Sequence, residues 1–250
     1  MSQSTESTPE ANPFTKPGFI IAAALVVALI AATVVIFLLP KGDTTAQPGP
    51  ASPSSSASAT PSAAADAIGK SVCGLPSSND TALGAAPKSK WELVGKIAVP
   101  TDPKTFGPGK TDPDGFRSCF AHSPTGALYA ATNILALGSS GDPVLNRKAT
   151  ESLLMPGPGR DIAVEDAAKA SSSTSNSTVQ FRGFLMKSYT PAAANVDVAF
   201  QSDKGVLAHA ILPLQWADGD WKLSIADSGQ LINEISQLRD LSSFIAWSGA

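Results

Sequence analysis

Hydrophobic positions fall along this chain in three regimes, and each regime predicts a different kind of structure. From Gly18 to Leu39 (GFIIAAALVVALIAATVVIFLL) they are continuous, with no charge, no proline and no strongly hydrogen-bonding side chain except Thr33. A helix through such a run satisfies its own backbone, and at 1.5 Å per residue the stretch from Phe19 spans about 31 Å, the thickness of a bilayer's hydrocarbon core. The pattern predicts a transmembrane helix over residues 18–40. A secretory signal has a shorter apolar region, about 7–15 residues, followed by a small-x-small cleavage site, which Pro40-Lys41-Gly42-Asp43 does not supply. Residues 1–17 are polar and proline-punctuated, and residues 41–67 reduce to Ala, Ser, Pro, Thr and Gly. Neither has the apolar surface to offset ordering entropy, so they read as a tail and a flexible stalk.

The third regime, residues 68–250, alternates short apolar groups with polar ones and predicts one α+β domain. Trp91, Leu93, Gly95, Ile97 and Val99 alternate as in a single strand, followed by a proline- and glycine-rich wrapping loop. Ser123-Pro124 is a helix start with a serine cap and proline in the first turn; Ala127, Leu128, Ala131, Ile134 and Leu135 share one face and Gly138 closes it. Asp142-Pro143 starts a second helix, with Val144, Leu145, Ala149 and Leu153 as its apolar face and Pro156 as its stop. A weaker helical stretch runs from Asp161 to Ala170. Beyond the polar loop SSSTSNS the period switches to two: Thr178–Tyr189, Asn195–Gln201, Val206–Ala217 and Asp220–Ala226 read as four antiparallel strands. Asp218-Gly219 supplies the positive φ angles of a tight hairpin, and Pro213 calls for a bulge or an edge. Gln230–Leu241 has helical spacing, with Leu231, Ile235, Leu238 and Leu241 inward, and Phe244–Trp247 is apolar enough to dock. Helices followed by strands predict a curved sheet packed on helices.

Charge changes this picture mainly by exclusion. A net charge of −3 with 16% charged residues leaves no sustained basic stripe for nucleic acid and no polybasic cluster beside the span. The flanking charges Lys16, Glu6, Glu10, Lys41 and Asp43 barely orient the helix. Two cysteines, Cys73 and Cys119, both follow the span without zinc spacing. In an oxidising compartment they would form a disulfide pinning the domain's entrance to its body; otherwise they are two unrelated buried thiols. The disulfide reading, together with the stalk, orients the chain with its N-terminus cytoplasmic and its domain extracytoplasmic.

Candidate chemistry is sparse, and no cofactor, metal or enzymatic activity is expected. His122 beside a helix start has no nucleophile motif near it, and His209 within a strand reads as a structural or exposed side chain. Asp161, Glu165 and Asp166 read as a solvated helix face. Asp112-Pro113-Asp114-Gly115 reads as a turn, because the further ligands of a calcium loop are missing, and Gly107-Pro108-Gly109-Lys110 lacks the helix and hydroxyl of a phosphate loop. Lys187 and Arg182 alternate with apolar neighbours on a half-exposed strand. Trp216, Trp221, Trp247 and Phe244 are the candidate interaction residues.

The segments SCFAHSPTGALYAATNILA (118–136), LQWADGDWKLSI and LSSFIAWSGA resemble membrane-anchored proteins of actinobacterial integrative and conjugative elements, over roughly Trp91–Ala250. The element order is also similar to the nuclear transport factor 2-like fold, which forms external domains of conjugation scaffold subunits in type IV secretion systems. The resemblance implies a single-pass scaffold that binds other membrane-protein subunits of a transfer apparatus, with a homo-oligomer as a further expectation, without touching nucleic acid directly. The alternative is an extracytoplasmic domain that holds or senses a small apolar ligand.

Overall fold

The structure, a computed structural model, describes residues 69–169 and 178–249. The span at 18–40, the tail and stalk around it, and the loop 170–177 lie outside the described residues. Among the described residues no helix is long and apolar enough to cross a membrane.

The domain opens with a hairpin, β1 (Lys90–Val94) and β2 (Ile97–Thr101). The sequence pattern suggests one strand here, and the structure corrects it to two. Val94 pairs with Ile97 across Gly95-Lys96, and Gly95 at φ 59° adopts a conformation that only glycine reaches without strain. The turn resets the inward face, so Val94, Ile97 and Val99 are buried while Leu93 is 68% exposed. The predicted wrapping loop carries a second, shorter hairpin, β3 (Lys110–Thr111) with β4 (Arg117–Ser118).

Three helices follow: α1 (Pro124–Gly138), α2 (Pro143–Leu153) and α3 (Pro158–Lys169). The expected caps are in place. Ser123 Oγ accepts from Gly126 N at 3.0 Å, and Asp142 accepts from the amides of Val144 and Leu145. Instead of the single apolar face expected, α1 is buried nearly all round, from Ala127 to Leu137 with Leu135 alone partly open. Its alanines let other elements approach closely, and it packs against β2 as well as the main sheet.

That sheet has the order β10-β5-β6-β7-β8, all antiparallel, with β9 pairing part of β7. Its strands are β5 (Val179–Tyr189), β6 (Ala193–Ser202), β7 (Leu207–Ala217), β8 (Asp220–Leu223), β9 (Ser236–Gln237) and β10 (Ile245–Ala246). The predicted hairpin joins β7 to β8, with Asp218 at φ 54° and Gly219 at φ 77°. Pro213 takes the edge position expected of it, a local one where β8 ends. Its carbonyl accepts from Ser224 N, so its missing N–H faces the place where β8 has just ended and the ladder on that side stops.

The helix expected over 230–241 does not form. Because β8 is only four residues long, the backbone of β7 before Pro213 lacks a partner on that side. Residues 231–238 supply one: Ser236 and Gln237 pair with His209 and Ala208, Leu238 N donates to Leu207 O, and Asn233 Nδ2 donates to Ile211 O. Burying those orphaned groups outweighs a local helix whose only claim is apolar spacing. The fold is thus a curved antiparallel sheet with helices packed on it, as expected at the level of α+β class.

Candidate functional site

The densest chemistry lies where the described chain begins. Residues 69–75 are fastened to the segment 119–122 and to the β7–β8 turn. Cys73 and Cys119 are joined in a disulfide, their Cα atoms 6.2 Å apart. Val72 N donates to Gly219 O at 2.8 Å, and the buried Ser71 accepts from Leu75 N and lies 3.3 Å from Cys119 Sγ. Cys119 itself stands at φ 67°, a conformation that L side chains rarely adopt. Asp220 holds it there: one carboxylate accepts from Cys119 N at 2.6 Å, Phe120 N at 2.8 Å and Trp221 N at 2.9 Å. The site is enclosed, and burial pushes the Asp220 carboxyl up to about 6 against the downward pull of those three amides and of Lys222.

His122 completes the junction. Its ring is 2% exposed and lies flat on Trp216, centroids 3.9 Å apart, with Trp221 edge-on at 5.8 Å. Nδ1 faces Gly69 O at 3.0 Å and Nε2 faces Pro191 O at 2.5 Å. Both partners are backbone carbonyl oxygens. No nucleophile meets either nitrogen. The chemistry is that of a clasp, tying the domain's first described residue to the β5–β6 turn.

The four aromatic candidates separate. Trp221 is fully buried, with Nε1 donating to Ala121 O, and Trp247 is 6% exposed, with Nε1 reaching Pro87 O and Ser89 Oγ. Trp247 packs among Trp91, Tyr129 and Phe184. These two are core residues, Trp247 anchoring the C-terminal segment, and of the set only Trp216 and Phe244 reach the surface. Phe244 lies edge-on to His209 on the sheet face turned away from α1.

The other sequence candidates stay apart from this junction. His209 Nδ1 sits 2.8 Å from Asp197 Oδ1, a cross-strand pair whose carboxylate is nearly enclosed. Asp112 and Asp114 form the expected turn, closed by Gly115 N on Asp112 O, and the Lys148 ammonium bridges both carboxylates at 2.7 Å. That lysine holds both carboxyls below the usual range. Asp161, Glu165 and Asp166 lie on the exposed side of α3, where Glu165 pairs with Lys169. Gly107–Lys110 forms the turn into β3; Gly109 abuts the disulfide, where an added Cβ would stand 2.5 Å from Cys73 Sγ. Arg182 bonds Gln201, and Lys187 is exposed on β5.

Asp220 and the His122–Trp216 stack escape sequence reasoning. The signal for Asp220 was present in outline: it follows Asp218-Gly219 at the first position of a short strand whose Trp221 and Leu223 turn inward.

Between sheet and helices the interior is filled by Leu128, Tyr129, Phe184, Trp221 and Trp247. A separate groove of about 480 Å³ opens among α1, α2, α3 and residues 225–235, with Ile134, Leu135, Ala163, Leu231 and Ile235 on its walls.

Residues 50–246 match the family described as domain of unknown function DUF8175. No curated protein and no solved structure matches the chain.

Proposed function

The chain belongs to the DUF8175 family, and we propose that it acts as a membrane-anchored extracytoplasmic scaffold whose domain binds other subunits of a conjugative, type IV secretion-like apparatus. The observation that carries this reading is the filled interior. In the nuclear transport factor 2-like fold that the element order resembles, small-molecule chemistry takes place in the chamber between sheet and helices; here aromatic side chains occupy that space. What is left for function is surface. Leu185, Ile211 and Pro213 are half-buried on the sheet face away from α1, beside Asp197, and Phe244 lies at its margin. The disulfide supports the extracytoplasmic placement, since such bonds persist in oxidising compartments.

A second reading rests on the groove beside α3, whose volume suits a small apolar ligand. One experiment separates the two. The intact protein is cross-linked in membranes of cells that carry its mobile element and then purified. Recovery of transfer-apparatus subunits supports the scaffold. Their absence, with a small molecule co-purifying, overturns it in favour of the ligand reading.

A further inference from the structure

A second concavity, of about 520 Å³, lies at the open end of the β1–β2 hairpin and is lined by Lys88, Ser89, Lys90, Thr101, Asp102 and Lys104, with Pro103. Lys90 opens β1, and Lys88 lies two residues before it on the same approach to the hollow. Lys90 stands opposite Thr101 in the register, and the turn that begins at Asp102 brings Lys104 round to the same opening.

Seven cations elsewhere in the domain are matched. Lys110, Arg117, Arg147, Lys148, Arg160, Lys169 and Lys222 each have a carboxylate within 4.0 Å. Among the described residues Lys88, Lys90 and Lys104 have none. Three like charges gathered around one hollow repel one another, and a chain with more acidic than basic residues had carboxylates with which to neutralise them. The arrangement makes sense when the counter-charge is a ligand.

We propose that this hollow binds the phosphate of a polyol phosphate, such as glycerol phosphate or a sugar phosphate. Ammonium groups on flexible stems are compact point charges suited to phosphate, whereas planar carboxylates are better met by the arginine fork, which is absent here. No aromatic ring lines the hollow, which removes the stacking platform a nucleobase needs. The one carboxylate assigns the ligand's other end. Asp102 Oδ1 accepts from the amides of Lys104 and Thr105, which fixes the group in place, and a carboxylate so held accepts from a ligand hydroxyl. A free metabolite, a polymer repeat and a lipid headgroup all present this chemistry.

The test uses the full chain in nanodiscs of phosphatidylcholine, titrated calorimetrically with glycerol 3-phosphate and with inorganic phosphate. Glycerol 3-phosphate should bind at about 1 mM or tighter, weaken as salt is raised, and lose about tenfold or more in affinity in the Lys88→Ala, Lys90→Ala, Lys104→Ala triple variant. The control Lys187→Ala, Lys204→Ala, which removes two exposed lysines elsewhere, should bind as the parent does. Asp102→Asn should favour inorganic phosphate over glycerol 3-phosphate relative to the parent. Discs containing phosphatidylglycerol distinguish the sources: weaker glycerol 3-phosphate binding there assigns the site to a lipid headgroup, and equal binding assigns it to a free or polymeric phosphate. Absence of binding to both probes, or equal weakening in the triple variant and the control, overturns the proposal.

Discussion

Replacing Asp220 with Asn tests whether one buried carboxylate organises the entrance to the domain. Asn keeps the shape but presents one acceptor oxygen and a donating NH₂ where the carboxylate accepted from three amides, those of Cys119, Phe120 and Trp221. At least one buried N–H is then left facing a donor, at a cost of about 1–3 kcal/mol. The same substitution removes a titration. Asp220 is 7% exposed and burial raises its carboxyl from 3.8 to about 6, so the native state binds the proton more tightly than the unfolded chain. Stability from this group is therefore fully present below about pH 4 and is lost as pH rises through about 6; a shift of roughly two units corresponds to about 3 kcal/mol. The exposed carboxylates held low, Asp112, Asp114, Asp218, Asp240 and Glu165, act in the opposite sense and only at lower pH. Urea unfolding of the full chain in detergent, followed by tryptophan fluorescence at about pH 4, 5, 6 and 7, measures both effects. The parent should lose stability across that range and the Asn variant, which does not titrate there, should lose little. Parallel pH profiles for the two proteins would refute the reasoning.

Three further outcomes follow from the packing. Removing the disulfide as Cys73→Ser with Cys119→Ser should cost about 4 kcal/mol on the chain-entropy estimate for a separation of 46, read as a lower urea midpoint; a loss below about 1 kcal/mol would show that the hydrogen bonds of the junction hold residues 69–75 alone. Gly126→Ala places a Cβ 1.9 Å from Ala121 O, whereas Gly138→Ala at the end of the same helix meets nothing within 4 Å. The first should destabilise by about 3 kcal/mol or more and the second should stabilise by about 0.5–1 kcal/mol, so equal thermal shifts would contradict the close approach. Trp247→Ala should cost about 3–5 kcal/mol and free the C-terminal segment to hydrogen exchange, since the indole is buried among Trp91, Tyr129 and Phe184; a neutral result would return Trp247 to the list of partner-binding residues.

What was legible in the sequence was local. Ser123-Pro124 and Asp142-Pro143 name their helices because a cap and a first-turn proline act within three residues, and Asp218-Gly219 names its hairpin because positive φ is a property of the turn itself. The cysteine pair was legible as one of two open readings, and the structure forms the bond. What failed depends on distant neighbours. Leu231, Ile235, Leu238 and Leu241 satisfy a helical period, but the fate of that segment is decided by how short β8 is and how much of β7 it leaves unpaired. Trp221 and Trp247 look alike in sequence to Trp216, and only the packing of α1 against the sheet separates core from surface. Asp220 combines both problems: its three donors come from its own strand and from residues a hundred positions earlier.

The junction also determines how a load on the tether would enter the domain. A pull applied before Gly69 meets the His122 clasp and the Val72–Gly219 bond, then crosses the disulfide from Cys73 to Cys119, and passes through Asp220 and the start of α1 to the core. Residues between the two cysteines, including both N-terminal hairpins, lie inside the closed loop and carry none of it. In the oxidised protein the loop is absent from the extended chain, so pulling between the chain ends in a single-molecule experiment should give a fully unfolded length shorter than that of the reduced protein. With a separation of 46 and about 3.3–3.6 Å per residue, the deficit is about 160 Å. The reduced protein should also yield at lower force, because the hairpins then stand in the line of the load. Equal lengths with and without reductant would mean that the bond does not form in the chain as isolated, and with it the argument that places this domain in an oxidising compartment would fall.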